Sequence, residues 1–245
     1  LGLSSADSER AVAACAEHKV TLAVGYNWRF QPALREVKRM LQDGRLGKLL
    51  HIEGNFCGPS AYRFRREHWR QDRDETPAGG MTGRGVHVVD AMLYLAGRIG
   101  SVTAQSARQV QDFGADDTTS MLFRMQDGPS GYLGTMTATG PGFSFQVFGS
   151  KGWVRLEGMT HVAGASSEER RTRLFSTCKF QPIKGPAETW EAARLDVTRA
   201  CLEAFGTAAS GGTPFLIPLE EMVHGASVTE AVVRSAASGQ VEKVA

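Results

Sequence analysis

Leu49-Leu50-His51-Ile52-Glu53-Gly54-Asn55-Phe56 sets Leu50, Ile52, Gly54 and Phe56 against Leu49, His51, Glu53 and Asn55. A period of two sends alternate side chains to opposite faces of an extended chain, so this stretch predicts a half-buried strand. Further strands are expected at Val102–Gln111, Thr118–Met125, Gly131–Thr139, Phe143–Gly149 and Trp153–Glu157, with another at Arg173–Phe180. Short connections such as Gln126-Asp-Gly-Pro-Ser130 have hairpin chemistry, which points to an antiparallel sheet.

Helices are predicted on both sides of these strands. Pro32 suits a first helical turn, Leu34, Val37, Met40 and Leu41 make one stripe, and Gly44 closes the end, giving a helix to Gln42. Others are expected over Val86–Ala96, Glu188–Ala208 and Leu219–Ala237. In the second of these, Trp190, Ala193, Val197, Cys201 and Phe205 share a face. Near the start, Ser4-Ser-Ala-Asp7 has the form of a capping box, so a helix runs to His18, and the apolar run Lys19–Gly25 predicts a buried strand after it. The fold class is therefore α+β: a large, mainly antiparallel open sheet with helices on one face. The last helix and strand of a parallel α/β unit precede it. A sheet face left bare of helices calls for solvent or a partner subunit.

Composition narrows the function. The 245 residues carry 28 Lys+Arg against 26 Asp+Glu, a net charge of +2, without the clustered basic excess of a nucleic-acid binder. No apolar run approaches the ~18–20 residues of a membrane span. No signal peptide precedes Leu1, and Cys15, Cys57, Cys178 and Cys201 are scattered without a C-x-x-C pair, so a reducing, cytoplasmic setting is expected. His51, His68, His161 and His224 lack ligand spacing, and no metal is expected.

The segment Pro77-Ala-Gly-Gly-Met-Thr-Gly-Arg-Gly-Val-His-Val-Val-Asp90 concentrates the chemistry. Its glycines allow close backbone approach to a ligand and lead into a helix with His87 near its start and Asp90 three residues on. On that spacing the carboxylate can reach the imidazole and favour its protonated form, and His87 is suited to proton transfer. Arg63–Arg73 holds five arginines, but acidic neighbours leave +1 over residues 63–75, the mark of a solvated charged loop. Within it, Trp69-Arg70 can stack a cation on a ring. Asp116-Asp117, adjacent on an extended chain, point apart and read as a strand-entry turn. No G-x-G-x-x-G, Walker-type or G-x-S-x-G motif is present.

Taken in order, Leu1-Gly-Leu-Ser-Ser-Ala-Asp7, Val24-Gly-Tyr-Asn-Trp-Arg-Phe-Gln-Pro32, Gly44-Arg-Leu-Gly-Lys48, Trp69-Arg70, Gly85-Val-His-Val-Val-Asp90, Asp116-Asp-Thr118 and Phe148-Gly-Ser-Lys-Gly152 resemble the Gfo/Idh/MocA family of NAD(P)-dependent oxidoreductases across the whole chain. The resemblance implies that residues 1–30 are the end of a Rossmann domain and residues 31–245 an α+β domain for substrate binding and oligomerisation. About 100 further residues with the phosphate-binding glycines are then expected upstream, and the chain alone is expected to be inactive. It implies hydride transfer between NAD or NADP and a sugar-like or cyclitol-like hydroxyl or carbonyl. In that reading His87 is catalytic, Asp90 and Tyr26 bind substrate, and Asn27, Arg29, Trp69 and Arg70 lie at the cofactor. A homodimer or homotetramer would form through the open sheet face. This sequence departs from the family pattern at Gly83, where many members place an Asp four residues before the histidine. A NAD-dependent glycosidase of the same family and a non-catalytic sugar or cofactor sensor or dimerisation module are the alternative functions.

Overall fold

The computed structural model describes residues 1–158 and 166–245. In chain order these form α1 (Ser5–Glu17), α2 (Pro32–Gln42), β1 (Leu49–Cys57), α3 (Val86–Ala96), β2 (Ile99–Ala107), β3 (Thr118–Met125), β4 (Ser130–Met136), β5 (Gly142–Gly149), β6 (Gly152–Gly158), α4 (Ser167–Thr172), β7 (Thr177–Pro182), β8 (Glu188–Trp190), α5 (Val197–Ala209), α6 (Leu219–Ser238) and β9 (Glu242–Lys243). The strands join one sheet in the order β8-β7-β6-β5-β1-β4-β3-β2-β9. Every pairing is antiparallel except β1 with β4, so β1 sits at the centre with a parallel neighbour on one side only. His161 lies outside the described residues.

The alternation in β1 decides which face is buried. Ile52 faces Val147 on β5 and Gly131 on β4. The row continues through Val154 and Phe180 one way and through Phe123 and Val102 the other, all of them buried, Gly131 included. Burying such a row stabilises the fold by about 25 cal/mol per Å² of apolar surface removed from water. α3 packs on β1 and α6 on β2, completing the helical layer. Gly54 is what lets α3 come close: a Cβ there would lie 2.9 Å from Val88 Cγ1. Leu50 departs from the expected inward set. It falls at a register shift in the β1–β5 ladder and is exposed.

The other sheet face carries Leu122, Tyr132, Glu53, Gln146 and Arg155 in one cross-strand row, and no described helix covers it. Leu122 is 60% exposed there.

Two predicted elements differ. α1 forms as expected, with Ser4 accepting from the Asp7 amide, but residues 19–25 form no ladder with any described strand. A strand exists only through its neighbours, and none lies alongside. α1 instead packs on α6, where Ser5 donates from N and Oγ to Glu230 Oε2. The helix predicted from Glu188 begins at Val197. Asp196 caps it by accepting from the Arg199 amide, and Glu188–Trp190 pair with β7 as an edge strand.

Candidate active site

Residues 77–87 take an unusual path that the glycines make possible. Ala78 and Gly79 are both left-handed, with φ of 57° and 51°, and Thr119 Oγ1 fixes the turn by donating to the Ala78 carbonyl at 2.9 Å. Met81–Gly85 then form a π-helical turn that runs into α3. Such turns shift the side chains that follow them and recur at functional sites. Here the turn brings Gly83, Arg84 and His87 to the wall of a cavity of about 650 Å³. Phe56 at the end of β1, the loop from Ser60 to Thr76, Asp116 before β3 and Thr137 after β4 form the remaining walls.

The loop is held by its own polar contacts. His68 Nδ1 accepts from the Arg70 amide at 3.1 Å, and Thr76 Oγ1 donates to the Asp72 carbonyl at 2.7 Å. Trp69 stands at the cavity mouth, half-exposed, with the Arg70 guanidinium 4.1 Å from its ring centre. Together they offer a flat, cationic surface.

His87 is stacked on Trp28, with ring centres 5.8 Å apart, and meets the edge of Tyr26 at 6.3 Å. Its Nδ1 is buried without a partner among the described residues, leaving Nε2 as the nitrogen open to the cavity. Burial pushes its pKa below the ordinary 6.5, so the ring is neutral at pH 7. The expected help from Asp90 is not there. That carboxylate points away, into a buried pair with Arg29: Nε donates to both oxygens at 3.0 Å and Nη2 to Oδ1 at 2.6 Å. Glu221 Oε2 lies 2.6 Å from the same Nη2. Burial pushes the Asp90 carboxyl up to about 6 against the pull of Arg29.

The seven residues singled out in the sequence therefore fall into three places. His87, Trp69 and Arg70 line one cavity. Tyr26, Arg29 and Asp90 form a buried layer behind the imidazole. Tyr26 packs on Ile217 and Met222, and its hydroxyl is pushed up to about 12 by burial. Asn27 lies apart, donating through Nδ2 to Thr198 Oγ1 at 3.1 Å. Asp116 and Asp117 do diverge. Asp116 pairs with Arg73 at the cavity wall, while Asp117 Oδ2 accepts from the amides of Gln109, Val110 and Gln111.

Sequence reasoning passed over Arg84. Its guanidinium lies 5.3 Å from the Phe56 ring centre, against the backbone of Gly58, where a Cβ would sit 2.8 Å from Nη1. The available signal was that it is the only charged residue between Pro77 and Val89. Among the described residues no three His, Cys, Asp or Glu side chains gather as a metal site, and no helix is long and apolar enough to cross a membrane.

Residues 34–155 match the family model described as the GFO/IDH/MocA C-terminal domain. D-apiose dehydrogenase of Paraburkholderia graminis is 25% identical over 218 residues, covering 86% of this chain and 56% of that protein. The rhizopine catabolism protein MocA of Rhizobium meliloti is 28% identical over 243 residues, 94% of this chain and 64% of that one. The chain thus spans less than two thirds of the length of these relatives. Among solved structures, a Desulfitobacterium hafniense protein assigned to the NADPH-dependent oxidoreductases superposes with a TM-score of 0.90 at 21% identity, covering 99% of this chain and 70% of its own. Levoglucosan dehydrogenase in complex with NADH superposes with a TM-score of 0.80 at 17% identity, covering all of this chain and 71% of its own. These likenesses establish the fold.

Proposed function

This chain belongs to the GFO/IDH/MocA family through its C-terminal domain, and from that premise we propose that it is the substrate-binding part of an NAD(P)-dependent oxidoreductase acting on a hydroxyl or carbonyl of a sugar-like or cyclitol-like molecule. The observation that carries the reading is His87: a neutral imidazole, without a carboxylate partner, with one nitrogen open to a 650 Å³ cavity. Relatives named as dehydrogenases of apiose, xylose and inositol support the substrate class.

Oxidising a carbinol removes a hydride and a proton. A bound nicotinamide supplies the hydride acceptor. His87 Nε2 takes the hydroxyl proton, and the stacked Trp28 ring fixes the direction from which it does so. Residues present fit only the reactive end of such a cofactor. Trp69 and Arg70 offer a planar, cationic surface at the cavity mouth, whereas the described residues include no glycine-rich phosphate loop. Residues 1–30 are accordingly read as the end of the nucleotide-binding domain and residues 31–245 as the substrate and oligomerisation domain. Arg29 and Asp90 hold the short turn Asn27–Phe30 and α3 in place behind His87; they are positioning residues in this reading, and Tyr26 backs the ring.

The open sheet face is read as the contact between copies of the chain, in a homodimer or homotetramer. Four free thiols suit a cytoplasmic protein.

The test uses the full-length protein with NAD or NADP and a panel of sugars and cyclitols. Accumulating reduced cofactor, lost on His87→Ala, supports the oxidoreductase. Glycoside cleavage without net reduction of the cofactor would favour the glycosidase, and neither activity with intact sugar binding would favour a sensor.

A further inference from the structure

The cavity carries a charge that a neutral polyol does not need. Arg84 makes no hydrogen bond or ion pair among the described residues, and its Nη1 is buried and unpartnered. Arg63 and Arg70 share the lining and likewise form no ion pair with a described residue. The one carboxylate in the wall, Asp116, is already engaged. It accepts from Arg73 Nη2 at 2.5 Å and from Ser106 Oγ at 2.7 Å. Three guanidinium groups thus face the cavity with no free counter-charge.

An unpaired, desolvated guanidinium destabilises a protein until an anion reaches it, and the same desolvation strengthens the interaction once it does. Arg84 is also placed to wait. Its Cζ lies over the Phe56 ring, 5.3 Å from the centre, and Gly58 gives it room against the backbone, so its direction is set before any ligand arrives. It lies on the same π-helical turn that leads into His87, three residues earlier. An anion on Arg84 would therefore hold the rest of its molecule over the imidazole.

We infer that Arg84, with Arg63 at the rim, binds an oxyanion carried by the substrate, so that the substrate is a sugar acid or sugar phosphate and not a neutral polyol. This rests on the reading above only in taking the cavity as the substrate site. Carboxylate and phosphate share the recognition chemistry, since both accept paired donors from a guanidinium.

The experiment measures binding of glucose, glucuronate, glucose 6-phosphate and inorganic phosphate to the full-length protein by calorimetry, with turnover followed in parallel. At least one of the three anions should bind about 10-fold or more tightly than glucose. Glucuronate or glucose 6-phosphate ahead of the other identifies the anion as carboxylate or phosphate. Arg84→Gln should abolish the preference and leave the KM for the cofactor unchanged. Arg84→Lys should keep part of it, with circular dichroism confirming that both variants fold. Gly83→Asp gives an independent arm. A Cβ at Gly83 meets nothing within 4 Å, so the new carboxylate fits the cavity and should weaken anion binding without touching Arg84.

Glucose binding as tightly as every anion, no anion binding at all, or a preference that survives Arg84→Gln would overturn the inference. A raised cofactor KM in Arg84→Gln would do the same, by giving the guanidinium to the cofactor. Arg84-dependent anion binding without any turnover would instead leave this inference standing and remove the oxidoreductase reading. Turnover of neutral sugars without anion preference would do the reverse.

Discussion

Arg29 reaches both carboxylate oxygens of Asp90 inside the protein, with their side chains 3% and 1% exposed. The pair joins the turn that follows Tyr26 to the first turns of α3, directly behind His87. Removing one partner of a buried pair leaves an uncompensated charge, which costs about 3–5 kcal/mol, whereas replacing both by apolar groups is often close to neutral. Asp90→Ala is therefore expected to lower unfolding free energy by about 3 kcal/mol or more. Arg29→Met with Asp90→Leu should recover most of that loss, because Glu221, the remaining carboxylate, is one-third exposed and can turn to water. Urea denaturation of the two variants against the parent decides it. Equal losses in the single and double variants would mean that the cost is one of packing.

The pair also shows why a sequence reading reaches the fold before the site. Pro32–Gln42, Thr118–Met125 and Val86–Ala96 are bounded in the structure where their periodicity and punctuation put them. Each is decided by local rules: proline at a first turn, alternation, a glycine stop. The helix predicted from Glu188 failed because Trp190, Ala193 and Val197 match a helical period while Glu188–Trp190 are drawn into the sheet edge by β7. Spacing placed Asp90 within reach of His87. What spacing could not reveal was that Arg29, distant in sequence, would claim the carboxylate. Arg84 escaped for a related reason, because being unpaired is a property of surroundings and leaves no trace in spacing.

His87 gives a prediction in pH. Its folded pKa is depressed by burial, so the neutral ring persists through neutral pH and protonation is resisted below the ordinary 6.5. Turnover should be flat on the acid side of neutrality and fall only below that value, as the base is lost. Stability should follow the same sign: the contribution is present above pH 6.5 and is lost as pH falls toward the depressed folded pKa. Replacement by Ala should reduce kcat by about 10²–10⁴-fold, the range for a lost general base. An NMR titration of His87 with a midpoint above 6.5 would refute the assignment of a neutral ring.

Asp117 anchors the segment before β3. Its Oδ2 accepts three backbone amides at 3.0, 2.7 and 3.2 Å, and Thr118 Oγ1 donates to Oδ1 at 3.1 Å. Burial opposes ionisation, but these donors together hold the carboxyl below its usual 3.8. The stability this adds is present above pH 3.8 and is lost as pH falls through the depressed value. Asp117→Ala strands three amides and should cost about 2–3 kcal/mol, with Asp117→Asn recovering part of it. Because Asp116 follows the same turn into the cavity wall, the Ala variant should also weaken sugar binding. Thermal unfolding at pH 7 and pH 3 measures the first effect, and calorimetry measures the second.

Leu122 tests the open face of the sheet. It stands at mid-strand on β3, 60% exposed, between Thr103 on β2 and Tyr132 on β4. A lone exposed leucine needs no explanation. Here, though, Tyr132 is its cross-strand neighbour, and Phe148 and Trp153 face each other on the same side of the sheet. Polar residues between them, Glu53, Gln146 and Arg155, make a surface with charge as well as apolar area, which suits a self-complementary contact between two copies. If that contact forms, Leu122→Glu buries a charge against its own two-fold mate and should shift the assembly to smaller species at micromolar concentration. The variant should keep its fold, because the side chain leaves the helix-covered core untouched. Light scattering on the parent and the variant reads the outcome. A parent that is monomeric, or a variant whose mass is unchanged, would take this face out of the assembly.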